Sequence, residues 1–154
     1  MKSYELLNKQ LSAMVEGEKN VISILANASA LLNEFLDDIN WVGFYLYNQE
    51  DDELQLGPFQ GKVACVHIPM NKGVCGTSAY LRKTQRVPDV HQFEGHIACD
   101  AASNSEIVIP LIVEDKVYGV LDIDSPIFDR FKETDQEHLE EFVRILEGAI
   151  ESGI

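Results

Sequence analysis

The fold and chemistry of this chain centre on the stretch GPFQGKVACVHIPMNKGVCGTSAY (57–80), followed by RVPDVHQFEGHIACDAASNSE (86–106). The two segments contain all three cysteines and three of the four histidines of the 154 residues. Short apolar pieces alternate with Gly, Asn and Ser turns, a pattern typical of a scaffold that holds reactive groups on loops. Cys65 lies in an apolar run, whereas Cys99 lies among small and polar residues, 95–106, without a helical or strand period. This contrast indicates that Cys99 is present for its chemistry.

Composition and charge limit the classes of function. The length and the ordinary globular composition predict a single domain, 1–154. The net charge of −14 argues against partners such as nucleic acid and against anionic membrane surfaces. No signal-peptide core or transmembrane run is present, so we expect a cytoplasmic protein with reduced thiols. An odd number of cysteines disfavours a fixed disulfide framework, so any disulfide would be transient.

The periodicity of apolar residues predicts an α+β domain in which helices pack on one side of a mostly antiparallel sheet of about six strands. Hairpins dominate because most strands follow one another directly. A capping box at Thr134 and Glu137 predicts the start of the last helix, which runs towards Glu151. The expected helices are 3–17, 18–36, 74–83 and 134–151, and the expected strands are 41–47, 53–59, 63–69, 86–90, 107–113 and 117–123.

The cysteines allow two kinds of chemistry. No Cys-x-x-Cys pair is present, which excludes a thioredoxin-type dithiol, but a cysteine on another loop can still resolve an oxidised thiol. The rival interpretation is a zinc site. Because the spacing of the cysteines and histidines matches no common zinc pattern, we favour thiol chemistry. The zinc site would be drawn from Cys65, His67, Cys75, His91, His96 and Cys99.

The strand that ends at Asp124 carries two carboxylates on one face. Alternation puts Tyr118, Val120, Asp122 and Asp124 together, and two like charges on an apolar strand call for a cation, either a metal ion or a substrate ammonium. A solvated strand end before Ser125-Pro126 is the simpler alternative. Glu106 opens the neighbouring strand. A two-residue turn would put it on the opposite face, and a longer turn or a bulge would put it with the aspartates.

Two aromatic residues on the first strand are also candidates for a binding site. Trp41 and Tyr45 are four residues apart and therefore share a strand face. Together they can wall an apolar cavity, or they can belong to the plain core.

Four segments give the chain a strong resemblance to the free methionine-(R)-sulfoxide reductase family. They are NWVGFYLY (40–47), LGPFQGKVACVHIPMNKGVCG (56–76), DVHQFEGHIACDAASNSEIVIPL (89–111) and GVLDIDSP (119–126). The resemblance implies a GAF-type domain with a closed ligand pocket. It further implies that Cys99 attacks the substrate, that Cys65 resolves and that Cys75 is the third family cysteine. The substrate-binding residues that it implies are Trp41, Tyr45, Glu106, Asp122 and Asp124.

The activity implied by this resemblance is the reduction of free methionine sulfoxide. The acids would hold the substrate ammonium, and Cys99 would pass through a sulfenic acid to a disulfide that thioredoxin reduces. Neither a metal nor an organic cofactor is required. A non-catalytic GAF-type module that binds a small ligand is the alternative, and the oligomeric state, a homodimer included, is left open.

Overall fold

The computed structural model describes residues 3–97 and 102–153, and it forms an α+β fold around one antiparallel sheet. The strands follow the order β3-β2-β1-β6-β5-β4, and each pairing in the described chain is antiparallel. None of the described helices is long and apolar enough to cross a membrane. The elements are α1 (Tyr4–Val15), α2 (Val21–Phe35), β1 (Trp41–Asn48), β2 (Glu53–Gly61), β3 (His67–Pro69), α3 (Gly73–Leu81), β4 (Gln85–Val87), a 3-10 turn (Val90–Gln92), β5 (Ser105–Val113), β6 (Lys116–Ser125) and α4 (Glu133–Ser152).

Side-chain caps explain where the helices begin. The side chain of Asn20 accepts a hydrogen bond from the backbone N–H of Ser23 at 3.2 Å, so α2 begins after Asn20 rather than at Glu18. The predicted capping box of the last helix is wrong. The helix begins at Glu133, because the Asp135 carboxylate accepts from the backbone N–H of Lys132 at 2.8 Å.

The third strand is much shorter than predicted. It covers only His67–Pro69, and residues 62–66, with Cys65 among them, form a loop. The run Val63-Ala-Cys-Val has strand-like composition, but β3 pairs with β2 only opposite Glu53–Gln55. Val63 is 91% exposed, because no neighbouring strand covers it. Cys65 is therefore a half-buried loop residue and does not share a strand face with His67.

Strand β4 lies at the edge of the sheet and is shorter than predicted. It ends at Val87, before Pro88, and Val90 begins the 3-10 turn instead of ending the strand.

The two faces of the sheet carry different layers. Helices α1, α2 and α4 pack on one face around an apolar core that includes Phe44, Leu121 and Phe142, each fully buried. For these three helices the predicted one-sided packing is correct. The short helix α3 packs on the other face with a smaller apolar cluster. The fold thus separates a large stabilising core from a second face that can carry polar groups.

A bulge in the β5–β6 hairpin sets which residues face which layer. Glu114 and Asp115 form a two-residue turn with positive φ at both positions, 52° and 63°. Ile112 pairs with Val117 while Leu111 pairs with Gly119, so Tyr118 is an extra residue. Val117 therefore packs on the α3 side and Tyr118 on the opposite side, which reverses the predicted assignment for these two residues. From Gly119 onwards the predicted faces are correct.

We predict that Gly119→Ala destabilises the fold by about 1–3 kcal/mol, because a Cβ there would lie 2.2 Å from the carbonyl oxygen of Tyr45 on the adjacent strand. Gly148→Ala is the matched control on α4. Nothing lies within 4 Å of its added Cβ, so it should stabilise by up to about 1 kcal/mol. Urea denaturation of both variants measures the difference. Equal stability of Gly119→Ala and the wild type would contradict the close strand approach.

Candidate active site

A cavity on the α3 side of the sheet brings most of the candidate residues together. Its walls enclose about 550 Å³, with open solvent at the mouth included. The sequence-predicted residues that line it are Trp41, Tyr45, Cys75, Glu106, Asp122 and Asp124.

The strand register places the three carboxyl groups on one face. Glu106 is directly opposite Asp124, and Val108 is opposite Asp122. The bulge at Tyr118 is the cause. A two-residue turn alone would place Glu106 on the opposite face, and the extra residue shifts the register by one, which brings Glu106 to the face of the aspartates. Asp122 and Glu106 are only 5% and 6% exposed. The alternative prediction, a solvated strand end, is therefore wrong for Asp122. Asp124 is a half-buried strand residue on the cavity wall.

Glu106 and Asp122 interact as a buried acid pair. Burial raises the pKa of Glu106 well above its ordinary value, and the charges of Asp122 and Asp124 raise it further. Burial also raises the pKa of Asp122, although hydrogen bonds from its neighbours oppose this effect. Within the pair, Glu106 is therefore the carboxyl group that favours its protonated form.

The acid pair is incompletely satisfied within the described chain. The Oδ1 atom of Asp122 is buried and accepts no hydrogen bond from any described residue. Among the described lining residues, the side chains able to carry a positive charge are Lys72 and His96. Burial lowers the pKa of His96, which favours its neutral form. A buried acceptor of this kind is suited to a donor that arrives with a ligand.

Aromatic rings form the apolar wall of the cavity. Trp41 stacks on Tyr45 with ring centroids 5.7 Å apart, and on Phe59 at 5.1 Å. The indole N–H of Trp41 donates to the carbonyl of Lys62 at 3.1 Å. Gly61 lies beside this ring with φ of 139°, and a Cβ there would come within 2.6 Å of Trp41 Cδ1. Trp41 and Tyr45 are therefore held rigidly, and the predicted cavity wall is present.

The cysteines differ in state and surroundings. Cys75 is a free, buried thiol on α3, and its Sγ lies 4.0 Å from Glu106 Oε2. Burial raises its pKa well above the ordinary value, and the charge of Asp122 adds to this. Cys65 is disulfide-bonded in the loop 62–66. Cys99, the predicted attacking residue, lies outside the described residues.

The rival zinc site does not assemble within the described residues. His67 pairs with Glu53, and His91 pairs with Asp89, both on the surface. His96 reaches the cavity, as the sequence allowed. Within residues 3–97 and 102–153, the group of potential metal ligands is instead Cys75, Glu106 and Asp122, whose donor atoms lie within 4.8 Å of one another.

The sequence analysis missed the start of α3 and one serine as part of the wall. Lys72, Gly73 and Val74 line the cavity, so the N-terminus of this nine-residue helix borders it. The Asn-Lys-Gly turn was the available signal. Ser103 also lines the cavity and accepts a hydrogen bond from Asn40 at 3.1 Å, but no local pattern marks it.

A curled antiparallel sheet with a ligand cavity under a short helix defines a GAF domain, and the GAF domain family model matches residues 18–151. The chain is 57% identical to the free methionine-R-sulfoxide reductase of Escherichia coli K12 over 144 residues, 94% of this chain and 86% of that protein. Its structure resembles fRMsr of Staphylococcus aureus in complex with substrate, with TM-score 0.92, 59% identity and 97% of each chain covered. A free methionine-R-sulfoxide reductase from Neisseria meningitidis in complex with its substrate gives TM-score 0.94 at 42% identity, with 97% of this chain and 89% of that chain covered.

The chain therefore belongs to the free methionine-R-sulfoxide reductase family, and it is an enzyme of that family.

The acid pair should make stability fall as pH rises. Unfolded Glu106 loses its proton near its ordinary pKa of about 4.3, while the folded protein retains it, so stability decreases from there up to the raised folded pKa. Glu106→Gln keeps a neutral hydrogen-bond donor. Its stability relative to wild type should therefore improve between about pH 5 and about pH 8.

Denaturant midpoints across this pH range measure the effect, and Glu50→Gln in an exposed turn is the control. A difference between Glu106→Gln and wild type that does not change with pH would contradict a proton held on Glu106.

Proposed function

We propose that this enzyme reduces free L-methionine (R)-S-oxide to L-methionine, using cysteine thiols as the source of electrons. The observation that carries the proposal is the pairing, in one cavity, of a buried acid cluster with an aromatic wall. Free methionine sulfoxide is a zwitterion with a small apolar S-methyl end, so it needs both features. Relatives whose structures were determined with substrate support the same activity.

The acids recognise the ammonium group. Asp122 has a buried oxygen that accepts no hydrogen bond from the described residues, and Asp124 lies beside it on the same face. An ammonium has three donors and neutralises the repulsion between the carboxylates. The proposed reaction accordingly uses no metal or organic cofactor.

The opposite end of the substrate meets the start of α3 and the aromatic wall. Backbone N–H groups at the N-terminus of α3, together with Lys72, provide donors and positive charge for the carboxylate. Trp41 and Tyr45 contact the methyl group on sulfur. Flanking peptide would remove both terminal charges, so the site selects the free amino acid.

Glu106 is the proton donor in this scheme. Its carboxyl group is the one whose pKa burial raises well above the ordinary value, so it still holds a proton near neutral pH. A general acid needs its proton at the working pH and a position in contact with the reacting group. Glu106 lies on the cavity wall, next to the aspartates that hold the ammonium.

We assign the attack on sulfur to Cys99. The Cys99 thiolate bonds to the sulfoxide sulfur while Glu106 protonates the oxygen, which passes to Cys99 as methionine leaves. The Cys65 thiolate then attacks the sulfenic sulfur, the S–O bond breaks as the disulfide forms, and the departing hydroxide takes up a proton to leave as water. Cys75 is a poor nucleophile, because burial keeps it as the neutral thiol. Cys65 is disulfide-bonded in this structure, which supports a role as the resolving cysteine.

Recycling requires two electrons from outside. We propose thioredoxin as the reductant and the cytoplasm as the compartment, since its thiol pools keep such disulfides reduced. The whole chain, 1–154, acts as one catalytic domain in this scheme.

Substrate charge provides a direct test of the proposed function. N-acetyl methionine sulfoxide amide should be turned over at least about a hundredfold less efficiently than the free amino acid, because it lacks both charges. In Asp122→Asn this discrimination should shrink, since the group that senses the ammonium is neutralised. Values of kcat/KM for both substrates in both proteins give the comparison.

Asp129→Asn, on the surface and ion-paired with Lys132, is the control and should discriminate like wild type. Equal turnover of blocked and free substrate by the wild type would refute the proposal. Binding of the sulfoxide without any turnover would favour the non-catalytic GAF-type module.

The cysteine roles separate in a single turnover without reductant. Cys99→Ser should release no methionine, because the attacking thiol is gone. Cys65→Ser should release up to one equivalent and leave a sulfenic acid that a dimedone probe traps. Cys75→Ser should still release methionine. A full equivalent from Cys99→Ser, with none from Cys75→Ser, would transfer the attacking role to Cys75.

A further inference from the structure

The charge of this acidic chain is unevenly distributed along its sequence. The 35 residues from Leu54 to Pro88 contain no Asp or Glu, although the whole chain has 26. The same segment holds five of the twelve lysines and arginines. The acids that flank it, Glu53 and Asp89, are each paired with a histidine. Arg82 is ion-paired with Asp115 outside the segment, whereas Lys72 lies at the cavity. The segment is thus basic in a chain of net charge −14.

An exposed apolar and basic surface next to Cys65 is built from part of this segment and from Ile97, which follows it in the chain. We call this surface the rim, and it consists of Lys62, Val63, Val66, Lys72 and Ile97. Val63, Val66 and Ile97 are 91%, 51% and 38% exposed, and both lysines are exposed as well. Val63, Lys72 and Ile97 also line the cavity, so these residues meet at its mouth. An exposed cluster of apolar side chains with neighbouring charges is typical of a protein-binding surface.

Two rim residues flank, in the chain, the cysteine whose disulfide an external reductant must reach under the proposed function. Cys65 is disulfide-bonded and half-buried, and the rim residues Val63 and Val66 lie on either side of it in the chain. Thiol–disulfide exchange requires the incoming thiolate to approach a disulfide sulfur directly. A protein that delivers this thiolate therefore has to rest on the residues next to Cys65.

We propose that the rim is the docking surface for a protein dithiol whose own face is apolar at its centre and acidic at its edge. The inference rests on the proposed function and adds the place and chemistry of the partner. An acidic partner is repelled by most of this chain and attracted by the rim, so the charge pattern steers it to Cys65. The apolar residues then exclude water from the contact.

The exchange at the rim is balanced in atoms and electrons. A thiolate of the partner bonds to Cys65 Sγ, and the bond between Cys65 and its disulfide partner breaks, which releases a thiolate that takes up a proton. The second thiol of the reducing protein then displaces Cys65 and closes its own disulfide. Two electrons pass from the dithiol to the two cysteines of this enzyme.

Turnover with two reductants tests the proposal. In Lys62→Glu and in Val66→Asp the KM for thioredoxin should rise by about tenfold or more, because each change puts a negative charge on the rim. With dithiothreitol, which needs no docking surface, turnover should stay within about twofold of wild type. Lys19→Glu and Ile22→Asp are the matched controls. Both residues are exposed on the helical side, and neither change should alter the KM for thioredoxin.

The outcomes distinguish this proposal from the proposed function. Unchanged KM for thioredoxin in both rim variants, with normal turnover, would overturn the docking surface alone. Absence of methionine in the first turnover of the wild type would overturn the proposed function instead. If the rim variants changed the oligomeric state and left the KM for thioredoxin unaltered, the rim would be a contact between copies of the chain, and the proposal would be wrong.

Discussion

Burial of three carboxyl groups in one cavity is the constraint on which the rest of this structure depends. Glu106, Asp122 and Asp124 come from two paired strands, so backbone hydrogen bonds, and not flexible side chains, set the distances between them. Their mutual repulsion costs free energy, which the proton on Glu106 reduces. Phe142 and Leu121 are fully buried in the apolar core on the opposite face, and this core stabilises the fold enough to tolerate the remaining repulsion between the carboxyl groups. Stability and binding are thus assigned to opposite sides of the sheet.

The bulge at Tyr118 links the fold to the chemistry. Without the extra residue, Glu106 would face the helical core, where a carboxyl group would have no polar neighbour. With it, the acid joins the aspartates while Tyr118 packs on the helical side. Tyr118 is about twenty ångströms along the strand from the acids. This one inserted residue nevertheless decides whether the cavity has its third acid.

The parts of the site that depend on local periodicity could be predicted from the sequence, and those that depend on pairing could not. Strand alternation correctly placed Trp41 on the same face as Tyr45, and Asp122 on the same face as Asp124, because side-chain direction repeats every two residues. The face on which Glu106 lies could not be predicted in this way, because it depends on the number of residues between the turn and the aspartates in the partner strand. Cys65 was misassigned to a strand, because composition alone does not reveal whether a neighbour exists to pair with.

The buried thiol of Cys75 has a consequence for the protein's tolerance of oxidants. Peroxides attack thiolates far faster than thiols, and burial holds Cys75 in the neutral form. Its sulfur also lies within 4.8 Å of the Asp122 carboxylate, so any oxidant anion would meet a region of negative potential. A cysteine in the cavity wall is thereby shielded from the oxidants that generate methionine sulfoxide. The cavity can keep its shape under the conditions in which a sulfoxide reductase is needed.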